Sequence, residues 1–304
     1  MTTGSEVGSG LMIVDKPPGW TSHQVVGRVR RLLGTRKVGH AGTLDPMATG
    51  VLLVGVNRAT RLLGHLASTD KAYEATIRLG QATVTDDAEG EISSAMGLLD
   101  LTDARLDAAL ERLRGDIIQV PSSVSAIKVG GVRSYARVRA GEQVDLAGRP
   151  VRVSRFEVRD RRDVTVDRLG CVELEVVVEC STGTYVRALA RDLGADLGSG
   201  GHLTALRRTR VGAFTIEEAQ PLDGVPLSDA VGARPSLVPI AEVARRCFPI
   251  LMLDDAQEAA VRVGRRLPGL MLPADLTALL SRGGEFLALY RVEGDDAIPE
   301  AVFV

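Results

Sequence analysis

The stretch Lys37-Val38-Gly39-His40-Ala41-Gly42-Thr43-Leu44-Asp45-Pro46-Met47-Ala48-Thr49-Gly50 carries one acid in a loop flanked by bases. A carboxylate in a glycine-rich loop is ordinarily a turn-former. Three features point to chemistry instead. Arg36 and Lys37 beside it attract a polyanion. The glycines permit close approach of a ligand to the backbone. His40, five residues before Asp45, adds a planar hydrogen-bonding ring to the same loop. An ionised Asp45 in such a setting can serve as a nucleophile or as a base.

Gly183-Thr184-Tyr185-Val186-Arg187 opens a predicted helix and puts Arg187 in its first turn. A cation there opposes the macrodipole at a cost of roughly 0.3–1 kcal/mol, so a carboxylate or phosphate partner is expected. Solvent exposure is the bland alternative. Val186, Leu189, Ala190, Leu193 and Leu197 form the apolar stripe, which leaves Arg187 and Arg191 on another side. Tyr73 opens an alternating strand on its apolar face. It is either a core tyrosine or a pocket ring on which a base stacks.

These residues need a scaffold, and the chain supplies recognisable elements. Residues 11–14 read as a short apolar strand closed by Asp15-Lys16-Pro17-Pro18-Gly19. Thr21 and Ser22 are caps for a helix through Leu33, and Gly34 ends it. A loop over residues 39–46 precedes a buried strand at 51–56. Residues 71–80 alternate with period two, with Tyr73, Ala75, Ile77 and Leu79 on one face. A helix over 101–114 follows, with Thr102 as its cap. Residues 128–162 read as a basic, loop-rich insertion, 172–180 as a strand and 185–197 as a helix. Pro226, Pro235 and Pro239 mark a linker, with one short helix at 240–246 and a strand-rich segment after residue 248. Strands and helices mix without regular βαβ alternation, so the class is α+β.

Composition bounds the function only loosely. The 304 residues hold 45% hydrophobic side chains, enough for a large core, with 25% charged and 3% aromatic. A net charge of −2 gives no global nucleic-acid signature. Charge is nonetheless segregated. Residues 16–64 carry eight bases against Asp45 alone, and residues 85–116 carry nine acids against three arginines. The pattern predicts a basic face able to track phosphates beside an acidic outer surface. Cys171, Cys180 and Cys247 lack paired spacing for zinc or an obvious bridge and read as reduced thiols of a cytosolic protein. The first residues have no signal-peptide pattern, and no apolar run reaches membrane-spanning length.

Taken in order, the blocks resemble the TruB family of tRNA pseudouridine synthases over about the first four-fifths of the chain. They are Asp15-Lys16-Pro17-Pro18-Gly19-Trp20-Thr21-Ser22, His40 through Gly50, Asp70-Lys71-Ala72-Tyr73, and Leu79-Gly80. Thr85-Asp86-Asp87-Ala88-Glu89-Gly90, Ser125-Ala126-Ile127-Lys128 and Gly183-Thr184-Tyr185-Val186-Arg187 complete the set. One block alone is weak; the ordered series is specific.

The resemblance implies a pseudouridine synthase fold, with a mixed, mainly antiparallel central sheet flanked by helices and a small C-terminal β-rich, PUA-like domain. It implies a tail at 1–10, a catalytic domain at 11–246 with an RNA-facing insertion at about 120–155, and the small domain at 247–304. The expected activity is isomerisation of uridine 55 in the tRNA T-loop. Asp45 and Arg187 are the expected catalytic residues, and His40, Tyr73, Tyr185 and Leu206 bind the target nucleotide. Arg28, Arg30, Arg31, Arg36, Lys37, Lys128, Arg207, Arg208 and Arg210 are the expected contacts to the RNA backbone. The reaction is redox-neutral, so no metal or cofactor is expected. The partner is tRNA, with no membrane, and the protein is expected as a cytoplasmic monomer. Three readings compete: a tRNA-binding or folding factor in which catalysis is secondary, a glycosidic-bond hydrolase, and the RNA-guided archaeal and eukaryotic relative, which a tail neither basic nor extensive disfavours. The hydrolase would want a second carboxylate, and none stands near Asp45 in the sequence.

Overall fold

The computed structural model describes residues 8–122, 128–129, 132–133, 146–222 and 235–304, without the side chains of 128, 129, 132 and 133. The chain forms two units, and it passes between them more than once. One comprises Met1–Leu44, Val51–Ala67 and Gly212–Val304; the other comprises Asp45–Gly50 and Ser68–Val211.

In the first unit, β1 (Gly10–Lys16) leads into a turn held by its own lysine. Lys16 is buried, and its ammonium donates to the carbonyls of Pro17 at 2.9 Å and Trp20 at 2.6 Å. It therefore staples the turn and is no part of a basic face. Helix α1 (Ser22–Leu33) starts at Thr21, whose side chain and that of Gln24 form a reciprocal capping box. Gly34 closes it in the left-handed conformation, with φ 62. Val25, Val26, Val29 and Leu33 are buried, each stabilising by roughly 1.5–3 kcal/mol. Arg30 and Arg31 sit in the last turn, where the dipole favours cations. Strand β2 (Val38–Ala41) pairs antiparallel with β3 (Thr49–Val56), His40 facing Val54. His40 is thus on a strand and not in the loop expected at 39–46. A 3-10 turn at Asn57–Leu62 precedes α2 (Leu63–Ala67). From that turn Arg58 and Arg61 donate to the carbonyls of Phe303 and Val302, so these two bases hold backbone of their own chain.

The second unit is built on β4 (Lys71–Leu79), followed by the hairpin β5 (Gln81–Thr83) and β6 (Ile92–Ala95). Helix α3 (Asp103–Glu111) is capped by Thr102, and β7 (Gly115–Gln119) comes next. A short antiparallel pair, β8 (Lys128–Val129) and β9 (Val132–Arg133), lies between undescribed stretches. Residues 125–127 and most of the expected insertion fall outside the described residues. From Arg149 onward the loop-rich expectation fails: β10 (Arg149–Val166) is an 18-residue strand. It pairs along β11 (Leu169–Cys180), and its exposed charges find partners across the hairpin, such as Arg155 with Glu179 at 3.2 Å and Arg162 with Glu175. Such cross-strand ion pairs let a strand carry charges that a sequence scan reads as loop. Helix α4 (Val186–Asp196) and β12 (Gly201–Val211) complete the unit, α4 packing on β12 and β4. Strand order is β12-β4-β11-β10-β7, antiparallel throughout, while the start of β3 joins β12 in parallel. The sheet is mixed and mainly antiparallel.

Back in the first unit, β13 (Phe214–Thr215), β14 (Gln220–Pro221) and β15 (Val238–Pro239) are short; β14 lies parallel and β15 antiparallel to β1. Helix α5 (Ile240–Cys247) precedes β16 (Ile250–Met252), and α6 (Asp255–Arg262) precedes β17 (Leu267–Pro268). With β18 (Leu276–Leu280), β19 (Phe286–Glu293) and β20 (Asp296–Val302) they form a separate five-stranded sheet, ordered β16-β18-β19-β20-β17. Its core gathers Leu253, Val261, Leu279, Leu287 and Tyr290, whose buried hydroxyl donates to the Arg265 carbonyl at 2.7 Å. The three cysteines are free thiols, and no helix of the described residues is long and apolar enough to cross a membrane.

Candidate active site

Asp45 is placed by its backbone before its side chain makes any contact. On the N-terminal side, the buried Ser22 hydroxyl accepts from Leu44 N–H at 2.9 Å and donates to Leu44 C=O at 3.2 Å. Past the turn closed by Ala48 N–H on Asp45 C=O at 3.1 Å, Thr49 and Gly50 enter the parallel pairing with Arg207 and Arg208. Gly50 has φ +97, and a Cβ there would lie 2.2 Å from the Arg208 carbonyl oxygen. Only glycine fits that approach.

Arg187 meets the carboxylate from α4. Its Nε lies 3.0 Å from Asp45 Oδ2 and its Nη2 donates to Oδ1 at 3.3 Å, so one edge of the fork grips both oxygens. The other edge is fixed as well. Nη1 donates to Thr85 C=O at 2.8 Å and lies 3.4 Å from Asp87 Oδ2. Asp87 is oriented in turn by the Thr85 hydroxyl at 2.6 Å and Glu89 N–H at 3.1 Å. The Arg187 side chain is 6% exposed and that of Asp45 35%, so a buried guanidinium presents a partly open carboxylate to solvent. The first-turn cation thus has its carboxylate partner, and it has two of them.

Tyr73 and Leu206 share a face of neighbouring strands, Tyr73 opposite Arg208 and Leu206 opposite Ala75. Both are buried. Burial raises the Tyr73 phenol above its ordinary value, Arg208 opposing through charge and a hydrogen bond. Asp45 is near enough to raise it further. Lys71, on the same face two residues earlier, is lowered to about 8 by burial and by the Arg208 charge. Tyr185 is half-buried as the residue before α4, its main chain tied to Gln119. His40 belongs to the first unit, where its ring stands edge-on to that of His23 with centroids 5.5 Å apart.

The expected RNA contacts divide. Arg30, Arg31, Arg36 and Lys37 are exposed, and Arg28 is half-buried. Arg30 donates to Val38 C=O at 2.9 Å. Arg207 donates to the Thr49 hydroxyl at 3.3 Å, and Arg210 pairs with Glu179 at 2.9 Å. Arg208 is a correction: 1% exposed beside Tyr73, it cannot lie on a phosphate track. The side chain of Lys128 lies outside the described residues.

Asp86 and Asp87, expected on an acidic outer surface, are buried. Burial raises the Asp86 carboxyl, opposed by the charges of Arg191 and Arg187. Arg191 reaches Asp86 Oδ2 at 3.4 Å. Asp87, by contrast, shares the Arg187 guanidinium with Asp45, a second acid that the sequence did not reveal. The available signal was the pair Arg187 and Arg191, one turn apart, each requiring an acid. Among the described residues no cluster of His, Cys, Asp and Glu is arranged to hold a metal.

What the arrangement offers is a half-open carboxylate whose orientation is set from behind, close to the buried Tyr73 ring. Comparison with known proteins gives the family. Residues 30–186 match the TruB family pseudouridylate synthase (N terminal domain), and residues 187–232 match the tRNA pseudouridylate synthase B C-terminal domain. The chain is 57% identical to the tRNA pseudouridine synthase B of Cutibacterium acnes, covering 94% of each chain. It is 51% identical to that of Streptomyces griseus over the whole of both. A solved Cbf5-Nop10-Gar1 complex contains a chain with TM-score 0.72 and 26% identity, covering 97% of this chain and 85% of that one. An H/ACA RNP bound to a substrate RNA containing 2'-deoxyuridine gives TM-score 0.70 at the same identity and coverage. With a family model spanning over half its length and relatives above half identity nearly end to end, the chain belongs to the TruB family of pseudouridylate synthases.

Proposed function

We propose that this chain converts a uridine of tRNA into pseudouridine, at position 55 of the T-loop, with Asp45 as the reacting carboxylate. The relatives named tRNA pseudouridine synthase B support the substrate class. The observation that carries the residue assignment is the two-oxygen grip of Arg187 on Asp45 inside an otherwise buried cluster.

The isomerisation breaks the bond from ribose C1′ to uracil N1, turns the base, and joins C5 to C1′. Asp45 either attacks C1′ or takes the C2′ proton, and it must be ionised for both. A dry pocket disfavours the charged form; the adjacent guanidinium favours it. Tyr73 stacks on the uracil, Leu206 gives it an apolar contact, Tyr185 lines the pocket, and His40 fills the stack left by the flipped nucleotide, a flip costing a few kcal/mol. The exposed Arg30, Arg31, Arg36 and Lys37 and the half-buried Arg28, with Arg207, Arg210 and Lys128, follow the phosphates. The chain works as a monomer in the cytoplasm, with a catalytic domain at 11–246 and a PUA-like domain at 247–304. The test is to incubate the purified protein with unmodified tRNA and map pseudouridine. Product at position 55 from the wild type and none from Asp45→Asn is the expected result. Product from Asp45→Asn at the wild-type rate refutes the assignment, and no product from either refutes the activity.

A further inference from the structure

Helix α4 carries Arg187, yet it begins without a side-chain cap of its own. Four N–H groups at a helix start need partners from elsewhere. Here the start is gripped by β7. Gln119, the last residue of that strand, is 2% exposed. Its Oε1 accepts from Tyr185 N–H at 2.8 Å, and its Nε2 donates to Tyr185 C=O at 3.1 Å. A side-chain amide can satisfy both groups of one residue because it holds a donor and an acceptor side by side. The next residue adds a second tie: Arg191 Nη2 donates to Val120 C=O at 2.7 Å. The end of β7 therefore holds α4 at residues 185 and 191, and Arg187 lies between those two points. Neither Gln119 nor Val120 bonds Asp45.

We propose that Gln119 is a positioning residue for the reaction, setting the register of α4 so that the Arg187 fork meets both oxygens of Asp45. This rests on the function proposed above and adds a residue to it. The fork tolerates little displacement, since its bonds to Asp45 are 3.0 and 3.3 Å. A shift of about 1 Å at a reacting group costs on the order of 100-fold.

The test uses Gln119→Met, similar in shape with neither bond, and Gln119→Glu, which keeps the acceptor and loses the donor. Each is made in the wild-type and Arg187→Lys backgrounds, and single-turnover rate and tRNA affinity are measured on unmodified tRNA. With the fork present, Gln119→Met should slow the rate about 10- to 100-fold at unchanged affinity, with Gln119→Glu between it and wild type. Without the fork the loss should shrink to about threefold or less, because a lysine has no planar edge to misalign. An equal fold loss in both backgrounds overturns the proposal, since a merely structural glutamine would act the same in each. So does a wild-type rate for Gln119→Met. An inactive wild type would instead refute the proposed function, which separates the two failures.

Discussion

Replacing Arg187 by methionine removes the one cation that two carboxylates share. The magnitude follows from the geometry. Charges about 4 Å apart at an effective dielectric near 20 attract by roughly 4 kcal/mol. Asp45 is about one-third exposed, and water screens part of that. Taking about half, roughly 2 kcal/mol, gives close to 30-fold in rate at about 1.4 kcal/mol per decade. Loss of the orienting edge adds about 10- to 100-fold. Arg187→Met should thus slow single turnover by about 300- to 3,000-fold. Arg187→Lys keeps the charge and should lose only the orienting part, about 10- to 100-fold. The pH–rate profile supplies the sign. In the proposed reaction Asp45 acts ionised, so activity is present at high pH and lost as pH falls; without the counter-charge the acid limb should move to higher pH in Arg187→Met. Stability should fall too, by about 3–5 kcal/mol, because Asp87 is left buried without its cation. Adding Asp87→Asn should recover most of that stability and none of the rate. The assay is single-turnover conversion of unmodified tRNA against pH for wild type, both variants and the double. A rate for Arg187→Met within threefold of wild type, with an unmoved acid limb, would refute the reasoning outright.

Asp45→Asn should abolish turnover and leave tRNA affinity within about twofold, read by filter binding beside single turnover; a parallel loss of affinity would mean the carboxylate is needed for binding. Charge reversal at Arg30 and Arg31 should weaken tRNA binding and flatten its salt dependence, while reversal at the exposed Asp103 and Asp107 should not weaken it; equal effects would undo the reading of the charge blocks. Gly50→Ala should cost more than about 3 kcal/mol in urea unfolding, because the added carbon meets backbone that cannot move aside; a neutral effect would show that the strand start tolerates rearrangement. For Lys71, the folded value of about 8 lies below the unfolded one near 10.4. The native state sheds that proton first, so stability should rise with pH between about 8 and 10.4 and should lose that rise in Lys71→Met, checked by denaturation across the window.

Much of the scaffold was legible because local signals agreed with tertiary demands. Thr21 and Gly34 bound α1 on both sides, and the period-two pattern of β4 placed Tyr73 inward. The cation at the start of α4 announced its need for an anion, and Asp45 meets it. What the sequence hid is what only long-range pairing decides. Asp86 and Asp87 sit in an acidic run, and burial distinguishes them from Asp103 and Asp107 only once Arg187 and Arg191 arrive from a hundred residues away. Arg208 reads as one of several bases in a row, yet strand alternation turns it into the core beside Tyr73 and Arg207 to the other face, while a register shift after Arg208 sets Arg210 opposite Ala72. Likewise β10 is rich in arginine and aspartate, and its strand character comes from partners on β11.

The site divides its precision between two kinds of structure. Asp45 is positioned by main chain: Ser22 holds the residue before it, and the Gly50 approach to Arg208 fixes the strand five residues after it. A residue so placed has only its own side-chain torsions left to order, and the Arg187 fork orders those, itself held from the far edge by Asp87 and Thr85. Orientation of this kind can be worth several kcal/mol of a barrier without any contact that tightens substrate binding. The exposed Arg30 and Arg31 bond neither Asp45 nor the fork, and in the proposed function they act through the RNA's charge. Changes to the fork and its supports should therefore appear in the rate of the bound complex, and changes to the exposed bases in affinity. A variant of Asp87 or Gln119 that weakened binding while sparing the bound rate would contradict this division, because neither side chain is exposed enough to meet a phosphate.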